Sequence, residues 1–214
     1  MLQTATVERK TFELLKKLMK DDVLSDFLLA GGTNLALQIG HRLSVDLDLF
    51  SYKSFDAQAI EKHLNKNYNF VVRRIFDVDT VIGYIDNIKV DFVAHIYPLL
   101  NSPLIENEIR LYSLQDIACM KLVAISDNGS RLKDFVDIAF LSTKMSLMDM
   151  LICYQKKYNR PNFYHAAKGL SYFDDIEFDT TIDLIDHPFN WKKIEKRIRE
   201  MIKYENRVFE TMPW

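Results

Sequence analysis

In the stretch LLAGGTNLALQIGHRLSVDLDLF, which runs from Leu28 to Phe50, Asp46 and Asp48 stand one residue apart inside an otherwise apolar run. Side chains alternate along a strand, so the two acids share one side while Val45, Leu47 and Leu49 take the other, the core side. Two carboxylates held this close repel each other, and a cation between them reverses the local field. Hard oxygen ligands with no accompanying His or Cys cluster favour Mg²⁺ or Mn²⁺ over Zn²⁺. Mg²⁺ commonly takes only one or two carboxylates and completes its shell with substrate phosphate. A third candidate ligand, Asp91, interrupts the strand pattern of IKVDFVAHI.

The turn upstream supplies a second chemical element. Gly31 and Gly32 let backbone approach a ligand closely, and the helix that follows offers unpaired N–H groups and the positive end of its dipole to a phosphate. Thr33 can cap that helix or add its hydroxyl to the ligand. Taken separately, Gly-Gly is an ordinary turn and Asp-x-Asp is a common solvated strand edge. In the order strand, Gly-Gly-Thr, helix, strand with Asp-x-Asp, they put a phosphate cradle and metal ligands at neighbouring strand ends, as phosphoryl transfer requires.

The positioning elements follow from periodicity. Thr11 to Met19 reads as an amphipathic helix and Phe27 to Ala30 as a short strand; a helix from Asn34 to Ile39 ends at Gly40, suited to a left-handed C-terminal position. Strands are expected from Ser44 to Phe50, Asn69 to Phe76, Thr80 to Ile85 and Ile88 to His95, with Asp86-Asn87 as a tight hairpin turn. Beyond Pro103 the period becomes helical. Ser113-x-x-Asp116 opens a helix through Ile125, Ser130 opens another to Ser142, and Ser146-x-x-Asp149 opens a third. The mixed segment from Asn162 to Asp186 begins with a weak helical pattern, and Asn190 caps a last helix from Trp191 to Arg207. The expected class is α+β, with an α+β domain over residues 1–110 and a helical domain over 111–214 that completes the active-site cleft.

Composition narrows the classes. A chain of 214 residues, 48% hydrophobic, with 6 Gly and 5 Pro has core enough to fold without staples. Its 28 basic and 30 acidic residues leave a net charge of −2, so contact with nucleic acid would have to come from local basic patches. The start MLQTATVERK lacks a signal-peptide core and no segment is apolar enough to span a bilayer, so a cytoplasmic protein with no membrane partner is expected. Cys119 and Cys153 lie among apolar residues and read as buried thiols. His41 and His95 have no second ligand at metal spacing and read as structural.

The run GGTNLALQIGHRLSVDLDLF resembles the signature of the nucleotidyltransferase superfamily, and specifically that of the AbiEii/AbiGii toxin family of abortive-infection and toxin–antitoxin systems. The likeness continues through KVDF and DIACMKLVAISDNGSRLKDFVDIAFL. The resemblance implies a polymerase-β-like nucleotidyltransferase core with a mixed sheet, followed by a helical C-terminal domain. It also implies Mg²⁺ (or Mn²⁺) and a nucleoside triphosphate substrate; some relatives add nucleotides to the acceptor end of tRNA and are neutralised by an antitoxin protein. Carried over residue by residue, Gly31, Gly32 and Thr33 would cradle the triphosphate, and Asp46, Asp48 and Asp91 would hold metal, with Asp91 helping to deprotonate the attacking hydroxyl. Arg42 and Ser44 match the family's GHRxSxD run. Lys121 would contact the β/γ-phosphate, and Arg131, Lys133, Asp134 and Asp137 are further active-site candidates.

Bland readings stand beside several of these. Capping alone explains Asp116. Lys121 is a lone charge on an apolar helix and could snorkel to solvent. Asp137 could pair with Lys133 one turn away. The basic last helix could face RNA or simply solvent. Transfer of a nucleotide to an acceptor hydroxyl, with the tRNA 3′ end as candidate acceptor, is the leading function. A protein or small-molecule acceptor, such as an antibiotic, and a non-catalytic nucleotide-binding regulator are the alternatives.

Overall fold

Buried and half-exposed residues alternate through Thr80–Ile85, and Val81 and Ile85 point into an apolar core shared with Val90 and Phe92. The computed structural model describes residues 1–76 and 79–214, with the side chains of 75 and 76 set aside. The chain divides into two compact units, Met1–Tyr112 and Ser113–Trp214.

In the first unit the elements run α1 (Arg9–Met19), β1 (Phe27–Leu29), α2 (Gly31–Ile39), β2 (Leu47–Ser51), α3 (Ala57–Asn67), β3 (Phe70–Phe76), β4 (Thr80–Ile85), β5 (Ile88–Ala94), β6 (Leu104–Glu106) and β7 (Ile109–Leu111). Among the described residues these strands make one mixed sheet in the order β3-β4-β5-β2-β1-β7-β6. β2 is antiparallel to β1 and parallel to β5, and β1 is parallel to β7. Asp86 and Asn87 both have positive φ, 51° and 66°, which is the two-residue turn whose twist matches the β4–β5 hairpin. Edge strand β3 carries Val71, Val72, Arg73 and Arg74 exposed in succession, and its register shifts between Val72 and Arg74.

Leu15, Leu18, Leu29, Leu47, Leu49 and Phe92 are almost completely excluded from solvent in one apolar core. Phe27 meets Phe55 and Phe92 edge-on at ring separations of 5.0 and 5.2 Å, a preferred aromatic geometry. Arg110 closes one end of this core, donating to the carbonyls of Phe27, Met19 and Leu24 at 3.1, 2.6 and 3.1 Å. Those carbonyls end elements where no ladder partner is available, and the guanidinium satisfies them.

The second unit is helical: α4 (Leu114–Asp127), α5 (Leu132–Leu141), α6 (Leu147–Lys157), α7 (Tyr164–Gly169) and α8 (Trp191–Lys203). Ser146 and Asp149 form the full reciprocal capping box at the start of α6. At α4 the Ser113 hydroxyl accepts from the Asp116 N–H at 3.1 Å, while the Asp116 carboxylate takes a different task, described below. Asn190 accepts from the Lys192 N–H to open α8.

Several boundaries differ from the sequence expectation for identifiable reasons. The strand expected from Ser44 starts at Leu47, so Val45 lies ahead of the ladder and is 57% exposed instead of facing the core. The helix expected from Ser130 opens at Leu132, with Arg131 as its cap. The last helix stops at Lys203, before Arg207. Helix α3 was not expected at all; its signal is Asp56, which accepts from the Gln58 and Ala59 N–H groups, with Ile60 and Leu64 one turn apart on the buried side. Strands β6 and β7 were missed as well, joined by Asn107 and Glu108 at φ 51° and 65°.

One buried polar residue ties the site-bearing helix to the sheet. Asn34 on α2 is fully buried and donates to the Leu29 carbonyl at 2.6 Å and the Tyr112 carbonyl at 3.1 Å. Replacement of Asn34 by Ala takes one donor from each carbonyl while the Leu29 carbonyl keeps the Tyr112 N–H and the Tyr112 carbonyl keeps the Gln38 amide, and urea unfolding should show a loss of about 0.5–1.5 kcal/mol.

Candidate functional site

The first residue of α2 decides the geometry of the site. Gly31 has φ +64° at the end of β1, and a Cβ placed on it would lie 1.8 Å from Asp48 Oδ2. The Asp48 carboxylate therefore occupies the space that a side chain at 31 would fill. A Cβ on Gly32 would lie 2.3 Å from the Arg42 guanidinium and 3.4 Å from Ser44 Oγ. The two glycines are adjacent because an acid presses on one and a base on the other.

This arrangement corrects part of the sequence expectation. The diglycine is the opening turn of α2 itself, with Ala30 as the preceding cap residue, and is not a separate loop. Thr33 does not cap. It is buried, its hydroxyl donates to the Asp46 carbonyl, and Ser44 Oγ lies 2.8 Å away. Thr33 and Ser44 thus fix the backbone just before the acidic strand. Gly40 ends the helix in the left-handed conformation expected of it, φ +75°.

The strands bring the acids together. Asp48 on β2 is the register partner of Asp91 on the parallel neighbour β5, so the two side chains stand side by side on one face. Asp46, just ahead of β2, is half-buried like the other two. Lys89 precedes Asp91 by two residues on the same face, and its Nζ donates to Asp91 Oδ2 at 2.6 Å. Burial pulls the Lys89 ammonium down, but the hydrogen bond to Asp91 and the charges of Asp91, Asp48 and Asp46 outweigh it and hold the group above its ordinary value. All three acids therefore act on one ammonium. The other Asp91 oxygen, Oδ1, is buried with no protein partner. Sequence reasoning missed Lys89; the signal was its i, i+2 spacing from Asp91.

Among the described residues no three His, Cys, Asp or Glu side chains group so as to hold a metal ion by themselves. The donor set nevertheless fits a hard divalent cation. It is all oxygen, it includes a buried orphan oxygen on Asp91, and it lies at a helix N-terminus where polyphosphate would complete the shell.

The helical unit holds its own charged cluster. Lys121 on α4 is not snorkelled to solvent; its ammonium is buried and pairs with Asp134 Oδ1 at 2.6 Å and Asp137 Oδ2 at 2.7 Å, both on α5. Exposed Arg131 approaches Asp134 Oδ2 at 3.5 Å, and Lys133 is half-exposed. Asp116, read as a simple cap, also forms a fully buried pair with Lys157 at 2.7 Å, a contact the sequence spacing could not disclose. His41 is completely buried, and His95 packs beside Phe50 and Tyr97. Cys119 is a buried free thiol and burial pushes its pKa well up, as a structural cysteine requires.

A mixed sheet whose diglycine helix start meets the Asp48 carboxylate of the next strand is an arrangement suited to phosphoryl transfer. The chain belongs to the nucleotidyl transferase AbiEii toxin family of type IV toxin–antitoxin systems, whose model matches residues 13–208. It is 35% identical over 204 residues to an uncharacterized protein of Aquifex aeolicus (strain VF5), covering 92% of this chain and 96% of that one. The fold is shared with the crystal structure of JHP933 from Helicobacter pylori, at TM-score 0.57 and 16% identity over 94% of this chain and 93% of that one. A second H. pylori structure, described as a candidate nucleotidyltransferase, matches at TM-score 0.56 and 16% identity over 93% and 96% of the two chains.

Two outcomes follow. Gly31→Ala forces a methyl into the Asp48 carboxylate at a left-handed backbone position, and should abolish nucleotide transfer and lower the thermal midpoint. Lys121→Met leaves Asp134 and Asp137 buried without their shared cation and should cost roughly 3–5 kcal/mol in chemical denaturation.

Proposed function

We propose that this protein transfers a nucleoside monophosphate from a nucleoside triphosphate to an acceptor hydroxyl, with Mg²⁺ or Mn²⁺ as cofactor and the 3′ end of a tRNA as acceptor. It would act in the cytoplasm as a toxin held in check by an antitoxin protein. The observation that carries this reading is the placement of the Asp48 carboxylate against Gly31, at the N-terminus of α2 and beside Asp91.

The triphosphate would lie over the opening turn of α2, where backbone N–H groups and the positive dipole end favour it. The buried Arg42 guanidinium against Gly32 adds positive charge there. Thr33 and Ser44 contribute by fixing the Asp46 carbonyl, and so the direction in which the acidic strand presents its carboxylates. Asp46, Asp48 and Asp91 would hold the divalent ion, which when bound supplies charge stabilisation at the α-phosphate and lowers the pKa of the attacking hydroxyl. The acceptor oxygen bonds to the α-phosphorus, the α–β bridging bond breaks, and pyrophosphate leaves. Asp91 would help to deprotonate the attacking hydroxyl; its Oδ1 has no hydrogen-bond partner among the described residues.

On the family resemblance Lys121 would contact the β/γ-phosphate, and Arg131, Lys133, Asp134 and Asp137 are further active-site candidates. Their support is chemical: a buried lysine shared by two buried carboxylates is a costly arrangement for structure alone. Among the described residues no helix is long and apolar enough to cross a membrane.

Incubation with each α-labelled nucleoside triphosphate and total RNA should label RNA in the tRNA size range. Asp48→Asn should abolish labelling while changing the thermal midpoint little, because the amide keeps the shape packed against Gly31. Label in protein or in small solutes would replace the acceptor but keep the chemistry. Full labelling by Asp48→Asn would remove the metal assignment.

A further inference from the structure

Asp48 and Asp91 stand side by side on one sheet face, with Asp46 just ahead of β2, and neighbouring carboxylates need compensation whenever no metal is bound, since each ionised group raises the cost of the next. The protein carries that compensation in its own sequence. Lys89 reaches from β5 over the same face, is 30% exposed at its side chain, and donates to Asp91 Oδ2 at 2.6 Å, while the field of Asp46 and Asp48 reaches it too. An ammonium on an Asp91 oxygen and a divalent ion drawing on the same carboxylate exclude one another, because like charges a few ångströms apart repel strongly at a half-buried site.

We propose that Lys89 is a built-in counter-cation that occupies the acidic cluster in the metal-free protein and must yield for the divalent ion to bind, so that this residue sets the metal affinity of the site. The proposal rests on the metal-binding reading of Asp46, Asp48 and Asp91. Lys89 gives the metal-free site a positive charge in contact with Asp91. It also makes the metal alone a weak ligand, so that loading is favoured when a polyphosphate brings further negative charge.

Mn²⁺ titration of the full chain, followed by loss of the free-ion electron paramagnetic resonance signal, tests this. Lys89→Met and Lys89→Gln should bind Mn²⁺ roughly tenfold or more tighter than the wild type, and Lys89→Arg should stay close to it. The metal-free thermal midpoints of the Met and Gln variants should fall, and Mn²⁺ should raise them by more than it raises the wild type. Equal or weaker Mn²⁺ binding by both neutral variants, with binding lost in Asp91→Asn, overturns the role of Lys89 and leaves the metal site standing. No Mn²⁺ bound by the wild type or by any variant overturns the metal reading and this proposal together.

Discussion

The contact of the Asp48 carboxylate with the bare backbone of Gly31 is the constraint around which the N-terminal unit is arranged. It requires the helix after β1 to begin without a side chain, and it requires β2 to pair antiparallel to β1 so that residue 48 arrives at that point; the Ala30 N–H donates to the Asp48 carbonyl at 2.7 Å. It places an anion at the positive end of α2, where the peptide dipoles favour it. The parallel pairing of β2 with β5 then sets Asp91 alongside, and the core residues of both strands hold the register.

Charge is handled differently in the two units. In the helical unit it is matched in the interior: Lys157 with Asp116, and Lys121 with Asp134 and Asp137, all almost fully buried. Such pairs seldom add net stability over apolar residues of the same shape, but breaking one is severe. On the sheet face of the first unit the charges are only half-buried: Lys89 pairs with Asp91, and Asp91 Oδ1 has no hydrogen-bond partner among the described residues. Charges left within reach of solvent are what a ligand-binding surface needs.

The fold class and the tight turns were legible in the sequence, and the short elements were not. Glycines, aspartates and the Asp86-Asn87 turn announce themselves because each backbone or charge requirement admits few residue types. The limits lay where a side chain has two uses. Thr33 looks like a cap and instead anchors the Asp46 carbonyl; Asp116 looks like a cap and also neutralises a lysine 41 residues away. Lys89 was invisible because a lysine on a strand is ordinary until the neighbouring strand supplies two more acids. Helix α3 was passed over because its apolar positions are few, and β6 and β7 are too short to show alternation.

The outer strand β3 presents Val71 and Val72 to solvent at a sheet margin, followed directly by Arg73 and Arg74 and an irregular register. An unpaired margin of valines is a template on which a second molecule could extend the sheet. Two adjacent positive charges and a local twist make that docking unfavourable, because a like strand arriving alongside would bring its own arginines with it. The same four residues thus join strand-forming valines to charges that disfavour the docking of a second copy at this margin.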